Sequence, residues 1–279
     1  MRLGYHVSIS GSIDKAVDRA REKDCNTFQI FTRNPRGWGY KELSDEEIRE
    51  FIRKTEEYHM DPPVAHVPYL PNLASSKEEI YERSVQSLIH ELERCGKLKI
   101  PYLVTHLGSH LGAGVEAGLK NVVKACDRAL SKVRNDVMIL LEVTAGQRNS
   151  VGHEFEHIRY IIDHTQDKKR LGVCFDTCHS FAAGYDLRNR RAVDETMKKF
   201  DEVIGFDLLK VVHISDAKGP LGARLDRHEH VGLGYIGEEG FKAILSHSVL
   251  RRMPLILETP VDKRGDFDRN LRKVRELYG

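Results

Sequence analysis

Histidine and carboxylate side chains recur in this sequence at one kind of position, inside or directly after a short apolar segment. Six such positions follow one another along the chain: His66, His106, Glu142, Asp176, His213 and Glu258. An ionisable group in apolar surroundings is costly unless it is paired or bound to a metal ion. Imidazole and carboxylate donors without thiolates suit zinc, manganese or iron. The pattern therefore indicates a metal centre.

Three further candidates lie near the same positions. His179 follows Asp176 by three residues, and Asp226 and His228 stand two apart, so an extended loop can point both toward one ion. Nine candidates are too many for one catalytic zinc, which takes three protein ligands and a water. Because a carboxylate can bridge, nine side chains can serve two or three ions, and a pair of ions is the usual device for displacement at phosphorus.

The other histidines and two cysteines have plainer expected roles. His230 competes with His228 as a ligand, while His6 is expected to line the site without ligating. Cys174 and Cys178, on either side of a candidate carboxylate, are expected to pack in the core rather than to ligate. The remaining histidines fall on predicted helices or loops and are expected to be solvated: His59, His90, His110, His153, His157, His164 and His247.

Eight short apolar segments, rich in β-branched residues, recur along the whole chain and are typical of buried strands. They are Leu3–Ser8, Thr27–Thr32, Val64–Pro68, Tyr102–Leu107, Val137–Val143, Leu171–Thr177, Val211–Asp216 and Leu255–Thr259. Helical periodicity is found between them at Ser44–His59, Ser76–Cys95, Val115–Val133, Glu154–His164, Ala192–Ile204, Gly237–Leu245 and Asp268–Leu277. At the start of the first of these helices, Ser44 and Glu47 match a capping box.

Alternating strands and helices predict an α/β protein with a parallel sheet. Eight strands in 279 residues, with no linker between them, predict one domain over residues 1–279 that is a single (βα)8 TIM barrel. A doubly wound open sheet is disfavoured, because no Gly-x-Gly-x-x-Gly follows the first strand and no Walker A motif occurs. A barrel brings the carboxyl ends of all its strands to one mouth, so the candidate ligands are expected to meet there.

The composition limits the classes of function. Lys and Arg number 44 against 42 Asp and Glu, a net charge of +2, so any binding of nucleic acid must rely on a local basic face. Five cysteines without a Cys-x-x-Cys pair make a disulfide framework unexpected and a reducing cytoplasm the expected location. The sequence has neither an apolar run long enough for a membrane span nor a signal-peptide core at its start.

Several segments resemble signatures of endonuclease IV, the metal-dependent apurinic/apyrimidinic nuclease family of DNA repair. The resemblance extends collinearly from Gly4–Ser8 to Leu255–Thr259. Its motifs are AHVPYLPNLA at 65–74, THLGSH at 105–110, GVCFDTCH at 172–179, FAAGYD at 181–186 and DRH at 226–228.

This resemblance implies a TIM barrel with three zinc ions, manganese or iron being alternatives at some positions. The implied reaction cleaves the phosphodiester bond 5′ to abasic sites in duplex DNA and leaves a 3′-hydroxyl and a 5′-deoxyribose phosphate. Three ligand sets are implied, which are His66, His106 and Glu142 for the first ion, Glu142, Asp176, His213 and Glu258 for the second, and His179, Asp226 and His228 for the third. Glu142 is implied as the bridge and catalytic group, in a protein that acts as a monomer.

Two loops are implied to recognise the lesion. Arg36 follows the second predicted strand, Tyr69 and Leu70 follow the third, and all three are implied to enter the base stack of the DNA. One segment departs from the family pattern, since E-N-T-A-G-Q-G is replaced here by EVTAGQR at 142–148. The departure concerns a polar contact at Val143 and the loop conformation at Arg148.

Two other functions compete with this one. A sugar isomerase or epimerase of the same barrel class would use Glu142, Asp176, His213 and Glu258 around one divalent ion, and it has no role for the other five candidates. A non-catalytic metal store or DNA-binding module does not explain why the ligands gather at a barrel mouth. The number of bound ions distinguishes the nuclease, with about three, from the isomerase, with one. Turnover on abasic duplex DNA would exclude the non-catalytic alternative.

Overall fold

Eight parallel strands form one barrel in the computed structural model, which describes all 279 residues. In chain order they are β1 (Arg2–Tyr5), β2 (Phe28–Phe31), β3 (Pro63–His66), β4 (Tyr102–Thr105), β5 (Met138–Glu142), β6 (Leu171–Asp176), β7 (Leu209–Ile214) and β8 (Pro254–Leu257). Strands β2 to β8 pair in chain order, and β8 pairs with β1. A parallel bridge between His6 and Gln29, where the Val7 N–H donates to the Gln29 carbonyl at 2.7 Å, joins β1 to β2. The predicted barrel is confirmed.

Nine α-helices lie in the connections between the strands. They are α1 (Lys15–Glu22), α2 (Asp45–Glu57), α3 (Glu78–Lys97), α4 (Val115–Lys132), α5 (Phe155–His164), α6 (Thr177–Ala183), α7 (Arg190–Val203), α8 (Gly237–Ser246) and α9 (Phe267–Tyr278). The capping box of α2 is present, since the Glu47 N–H donates to Ser44 Oγ at 3.2 Å. No helix is both long and apolar enough to cross a membrane.

Two helices, α1 and α6, were not predicted. The short α1 buries only Ala16, Val17 and Ala20, which gives too few apolar positions for a recognisable stripe. In α6 nearly every residue is buried, so no polar face alternates with an apolar one. The chain leaves α6 through Gly184, whose φ of 112° is in the left-handed region that favours glycine.

One layer of side chains fills the barrel interior below the mouth. It consists of Val64, Val104, Leu140, Cys174, Val211 and Ile256, all fully buried, with one contribution from each of β3 to β8. Since side chains on a strand alternate between its two faces, the residue two positions later on each strand points to the same interior. The barrel therefore has a closed apolar floor on which a second interior layer rests.

Candidate metal centre

The second interior layer contains the six candidates at the strand ends. Each stands two residues after a floor residue, as His66 does after Val64 and Glu142 after Leu140. Glu142, Asp176 and His213 have no exposed surface, and His66 retains 5% of its own. The period of two along each strand thus places ionisable groups on an apolar floor, at the end of the barrel where the loops diverge.

Glu142 is the hub of this layer. Its Oε2 lies 3.0 Å from Nε2 of both His66 and His106, and its Oε1 lies 3.0 Å from Nδ1 of His213. Nδ1 of His179 is 3.3 Å from the same Oε1. One buried carboxylate therefore contacts four imidazole rings from four different elements.

Possible ligand atoms that lie within 4.8 Å of one another define four groups, one of which joins Cys178 to Asp176 and His228. The other three contain only predicted ligands, and they are His66, His106 and Glu142; Glu142, Asp176, His213 and Glu258; and His179, Asp226 and His228. All nine predicted residues are present, and they divide as the family resemblance implies. The structure brings the donors together, while their role as ligands stays a prediction.

Backbone carbonyls orient most of the rings. Nδ1 of His66 lies 2.6 Å from the Val67 carbonyl, and Nδ1 of His179 lies 3.1 Å from the Val143 carbonyl. His228 repeats this contact, at 2.6 Å, with the carbonyl of Glu258. A carbonyl only accepts, so Nδ1 carries the proton and the Nε2 lone pair faces the cluster, as second-sphere contacts of metal-bound histidines usually arrange.

These contacts provide a test of whether the site fits metal ions. With Nδ1 directed at the Val67 carbonyl, the His66 ring places Nε2 only 3.0 Å from a Glu142 oxygen. Two such electron-rich atoms approach this closely only when a proton or a metal ion lies between them. Asp176 Oδ2 is buried without a hydrogen-bond partner, a costly condition that ligation removes. The donor set fits divalent metal ions.

The electrostatics lead to the same conclusion. Burial favours the neutral ring, yet the Glu142 carboxylate raises the pKa of His106. Burial also opposes the ionised form of Glu142, but His106 and His213 hold the pKa of Glu142 well below its usual range. In the outer group, Asp226 raises the pKa of His228 to about 9 against the effect of burial. The cluster therefore stabilises positive charge, which protons or metal ions can supply.

Gln29 is a member of the site that sequence reasoning missed. Its Oε1 lies 2.8 Å from Nε2 of His213, and its Nε2 donates to Glu258 Oε1 at 2.6 Å. These contacts leave Nδ1 of His213 free to face Glu142. His6 lies beside them, with its Nδ1 3.4 Å from Glu258, in agreement with the expected supporting role. Gln29 could have been found from the sequence, because it is a single amide side chain within the apolar second strand.

Two expectations about histidines outside the cluster are wrong, and one alternative that the sequence left open is resolved. Nε2 of His230 lies 3.0 Å from Asp262 and its Nδ1 lies 2.9 Å from Asn270 Nδ2, so both ring nitrogens are engaged away from the cluster and His230 does not compete with His228. His157 and His247 were expected to be solvated, but both are buried, each at 9% exposure.

The cysteines are all free and buried, as the absence of a disulfide framework predicts. Cys174 belongs to the apolar floor, where burial raises its pKa to about 12. Cys178 stands closer to the cluster, because its sulfur lies within 4.8 Å of donor atoms of Asp176 and His228. Burial also raises the pKa of Cys178, which keeps it a neutral thiol.

At the departure from the family pattern, one contact to the cluster comes from the protein backbone. Val143 is fully buried, and it is its backbone carbonyl that accepts the hydrogen bond from His179. A change of side chain at this position therefore keeps the contact. Arg148 adopts a φ of 44° in the left-handed region, which costs a residue with a side chain about 1–2 kcal/mol. Its side chain is exposed on the loop after β5.

A cavity of about 530 Å³ opens above the cluster. His106, Asp226 and Glu258 lie at its base, and Lys218 and Arg227 line it from the loop after β7. That loop returns to the mouth through a two-stranded ribbon, Asp216–Ala217 paired with His228–Glu229. The arrangement gives an anionic group access to the donors between two basic side chains.

The predicted recognition residues lie at the rim of the mouth. Tyr69 is 72% exposed, and its ring packs edge-on against Phe31 at a centroid distance of 5.0 Å. Leu70 is exposed beside it. Arg36 is exposed on the loop after β2, with no hydrogen bond from its guanidinium. Tyr69 and Leu70 thus expose adjacent apolar surface at the mouth of the barrel.

Comparison with known proteins identifies relatives over the whole chain. The model of the family described as "Xylose isomerase-like TIM barrel" matches residues 17–277. "Probable endonuclease 4" of Nitrosopumilus maritimus is 54% identical and aligns with 99% of this chain and 100% of that protein. "Apurinic-apyrimidinic endonuclease" of Caenorhabditis elegans is 40% identical over 94% of this chain and 66% of its own length. The crystal structure of endonuclease IV from Thermus thermophilus is 35% identical, with a TM-score of 0.87, over 99% of this chain and 98% of that one.

Proposed function

This chain belongs to the endonuclease IV family of xylose isomerase-like TIM barrels, and we propose that it hydrolyses the phosphodiester bond 5′ to abasic sites in duplex DNA. The products are a 3′-hydroxyl and a 5′-deoxyribose phosphate. The observation that carries the proposal is the hub arrangement, in which one buried Glu142 joins donor groups at the base of a cavity rimmed by exposed Tyr69 and Leu70.

We assign three zinc ions to the three donor groups. His66, His106 and Glu142 would hold the first ion, Asp176, His213 and Glu258 would hold the second together with Glu142, and His179, Asp226 and His228 would hold the third. When bound, divalent ions supply a water that ionises near neutral pH and positive charge opposite the phosphate. The shared carboxylate of Glu142 fixes the spacing between the two inner groups.

Hydrolysis adds water across the bond between phosphorus and the 3′ oxygen. The water oxygen stays on phosphorus, and the 3′ oxygen leaves and takes up a proton. We assign Glu142 as the catalytic group because the carboxylate shared by the two inner donor groups would help to orient the attacking water. Lys218 and Arg227, which line the cavity, stabilise the charge of the phosphate oxygens.

Recognition depends on the shape of the lesion as well as on charge. We propose that Arg36, Tyr69 and Leu70, all exposed at the mouth, enter the base stack of the DNA. An abasic site lacks stacking on one strand, so wedging and flipping cost least there. The alternative single-ion isomerase uses four of the nine donors and leaves the His179, Asp226 and His228 group without a role, which favours the nuclease.

The proposal is tested by cleavage of an abasic duplex with and without exhaustive metal removal. We expect about three zinc ions per chain, loss of cleavage on removal and recovery on return of zinc. E142Q keeps the shape of the hub but not its charge, and it should lower metal content and cleavage together, the latter by more than about a hundredfold. E154Q, at the exposed Glu154, is the matched control and should resemble wild type. Full activity of stripped protein contradicts the mechanism, and one ion per chain favours the isomerase.

A further inference from the structure

The loop between β2 and α2, residues 32–44, carries Arg36 and the only tryptophan of the chain, Trp38. It contains no helix or strand of its own. Long irregular loops are ordinarily mobile, so the contacts that hold this one decide where the Arg36 side chain stands. Those contacts come mainly from α3, which is not the next helix along the chain.

One polar face of α3, which we call the α3 stripe, contacts the loop over three turns. The α3 stripe consists of Arg83, Ser87, His90, Glu91 and Arg94. Spacings of three and four residues place these side chains on one side of the helix. A single rigid element therefore presents five polar groups to the loop.

The centre of the α3 stripe is a buried ion pair. Glu91 has no exposed surface, and its two oxygens accept hydrogen bonds from Arg33 Nε at 2.7 Å and from the Thr32 hydroxyl at 2.6 Å. Arg33 also donates to Ser87 Oγ at 2.8 Å. Breaking a buried pair of this kind leaves an uncompensated charge, so the first two loop residues are firmly tied to the helix.

Two guanidinium groups then hold the loop backbone. Arg33 donates to the Gly37 carbonyl, which closes the turn that contains Arg36. Arg94 donates to the Lys41 carbonyl at 2.9 Å and to the Thr32 hydroxyl at 3.0 Å. Both ends of the recognition turn are thereby fixed to the same helix.

The outer part of the α3 stripe holds two aromatic rings of the loop. The guanidinium of Arg83 lies 4.5 Å from the centre of the Trp38 ring, within cation–π range. Nε2 of His90 lies 3.0 Å from the Tyr40 hydroxyl, and the two rings are 4.5 Å apart. The exposed half of the loop is therefore attached as well as the buried half.

We propose that the α3 stripe is a positioning device that holds the 32–44 loop in its DNA-binding shape before DNA arrives. A loop ordered in advance does not lose conformational entropy on binding, so the stripe raises affinity for abasic duplex. None of its residues belongs to the metal cluster, and the chemical step is therefore left unchanged. The inference rests on the proposed role of Arg36 in DNA binding.

The test uses R83A, a change at a half-exposed side chain that leaves the buried ion pair intact. We measure acrylamide quenching of Trp38 without DNA, the Kd for a labelled abasic duplex, and kcat. R83A should make Trp38 more accessible and raise Kd by about fivefold or more, with kcat within about twofold of wild type. R83K retains the cation and should restore both values. E79A removes the ion-pair partner of Arg83, 3.9 Å away, without touching Trp38, and should resemble wild type.

Three results overturn the positioning role: unchanged quenching in R83A, increased quenching with an unchanged Kd, or a fall in kcat with an unchanged Kd. Failure of the proposed function is a different result. In that case the zinc-loaded wild-type protein leaves the abasic duplex uncleaved. The role of the α3 stripe is tested separately, by the ratio of the Kd values of R83A and wild type.

Discussion

At the scale of single residues, the site depends on which nitrogen of each ring is free. His66, His179 and His228 direct Nε2 toward the cluster because a backbone carbonyl lies at Nδ1. His213 is reversed, with Nδ1 inward, because Gln29 contacts its Nε2. A ligating nitrogen needs a free lone pair, so a partner on the far side of the ring is as necessary as the ring itself.

The contacts of a histidine ring also affect the pH dependence of stability, as at His247, which lies far from the cluster. Its Nδ1 accepts hydrogen bonds from the Val249 and Leu250 N–H groups at 3.3 and 3.4 Å, and burial lowers its pKa from the ordinary 6.5. The folded state therefore binds the proton less readily than the unfolded state. The neutral His247 ring therefore stabilises the folded protein fully above about pH 6.5, the pKa of an unfolded histidine. This contribution to the free energy of unfolding is lost as the pH falls through the pKa of His247 in the folded protein.

Denaturant unfolding from pH 8 to pH 5 checks the prediction. H247N offers an acceptor that does not titrate, and we expect its free energy of unfolding to fall less than that of wild type below about pH 6.5. H164Q, at the exposed end of α5, should follow the wild-type curve. An identical pH dependence in H247N and wild type would show that His247 contributes nothing to it.

At the scale of elements, the strands carry the floor and the donor layer on one face. The alternation that buries Leu140 below the mouth is the one that aims Glu142 into it. Stability and site geometry are therefore coupled within each strand. Loops supply the rest, since Asp226 and His228 reach the third group only through the ribbon after β7.

L140A tests this coupling. Leu140 is fully buried, and truncation should cost about 2–5 kcal/mol of unfolding free energy through lost burial and the cavity left behind. I256V, a smaller deletion in the same floor, should cost about 0.5–1.5 kcal/mol. We also expect L140A to bind zinc more weakly, because its floor no longer braces the Glu142 strand. Unchanged zinc affinity despite the lower stability would contradict the coupling.

At the scale of the whole molecule, a net charge of +2 means that any binding of DNA depends on local basic side chains. On the helices many basic side chains face acidic neighbours one turn away, as Arg190 does with Asp194 and Arg159 with Asp163. At the mouth, Arg227 and Lys218 line the cavity without any ion-pair partner. Two basic side chains without an ion-pair partner thus line the proposed binding site.

The salt dependence of binding to an abasic duplex measures this face. Each phosphate contact contributes about one unit to the slope of log Kd against log salt concentration. R227A should weaken binding and reduce that slope by about one unit. R190A removes a charge already paired with Asp194 and should leave the slope unchanged. Equal slopes for R227A and wild type would remove Arg227 from the phosphate contacts.

The barrel, seven of its helices and the nine candidate ligands could all be predicted from the amino-acid sequence. These features have local causes. The strand period of two aligns Glu142 above Leu140, and the helical period marks α2 together with its Ser44 cap. An ionisable residue within an apolar strand can be recognised from the sequence alone, without knowing which residues surround it in space.

Which side chains meet depends on the tertiary structure. The His230 ring contacts Asn270, forty positions further along the chain, and His228 is the histidine that lies in the cluster. The tertiary structure has two further effects of this kind. It placed Gln29 of β2 behind His213 of β7, and the polar face of α3 beneath a loop that precedes it. A side chain in a loop or at a strand end points where distant partners hold it, and such long-range contacts leave no period in the sequence to be recognised.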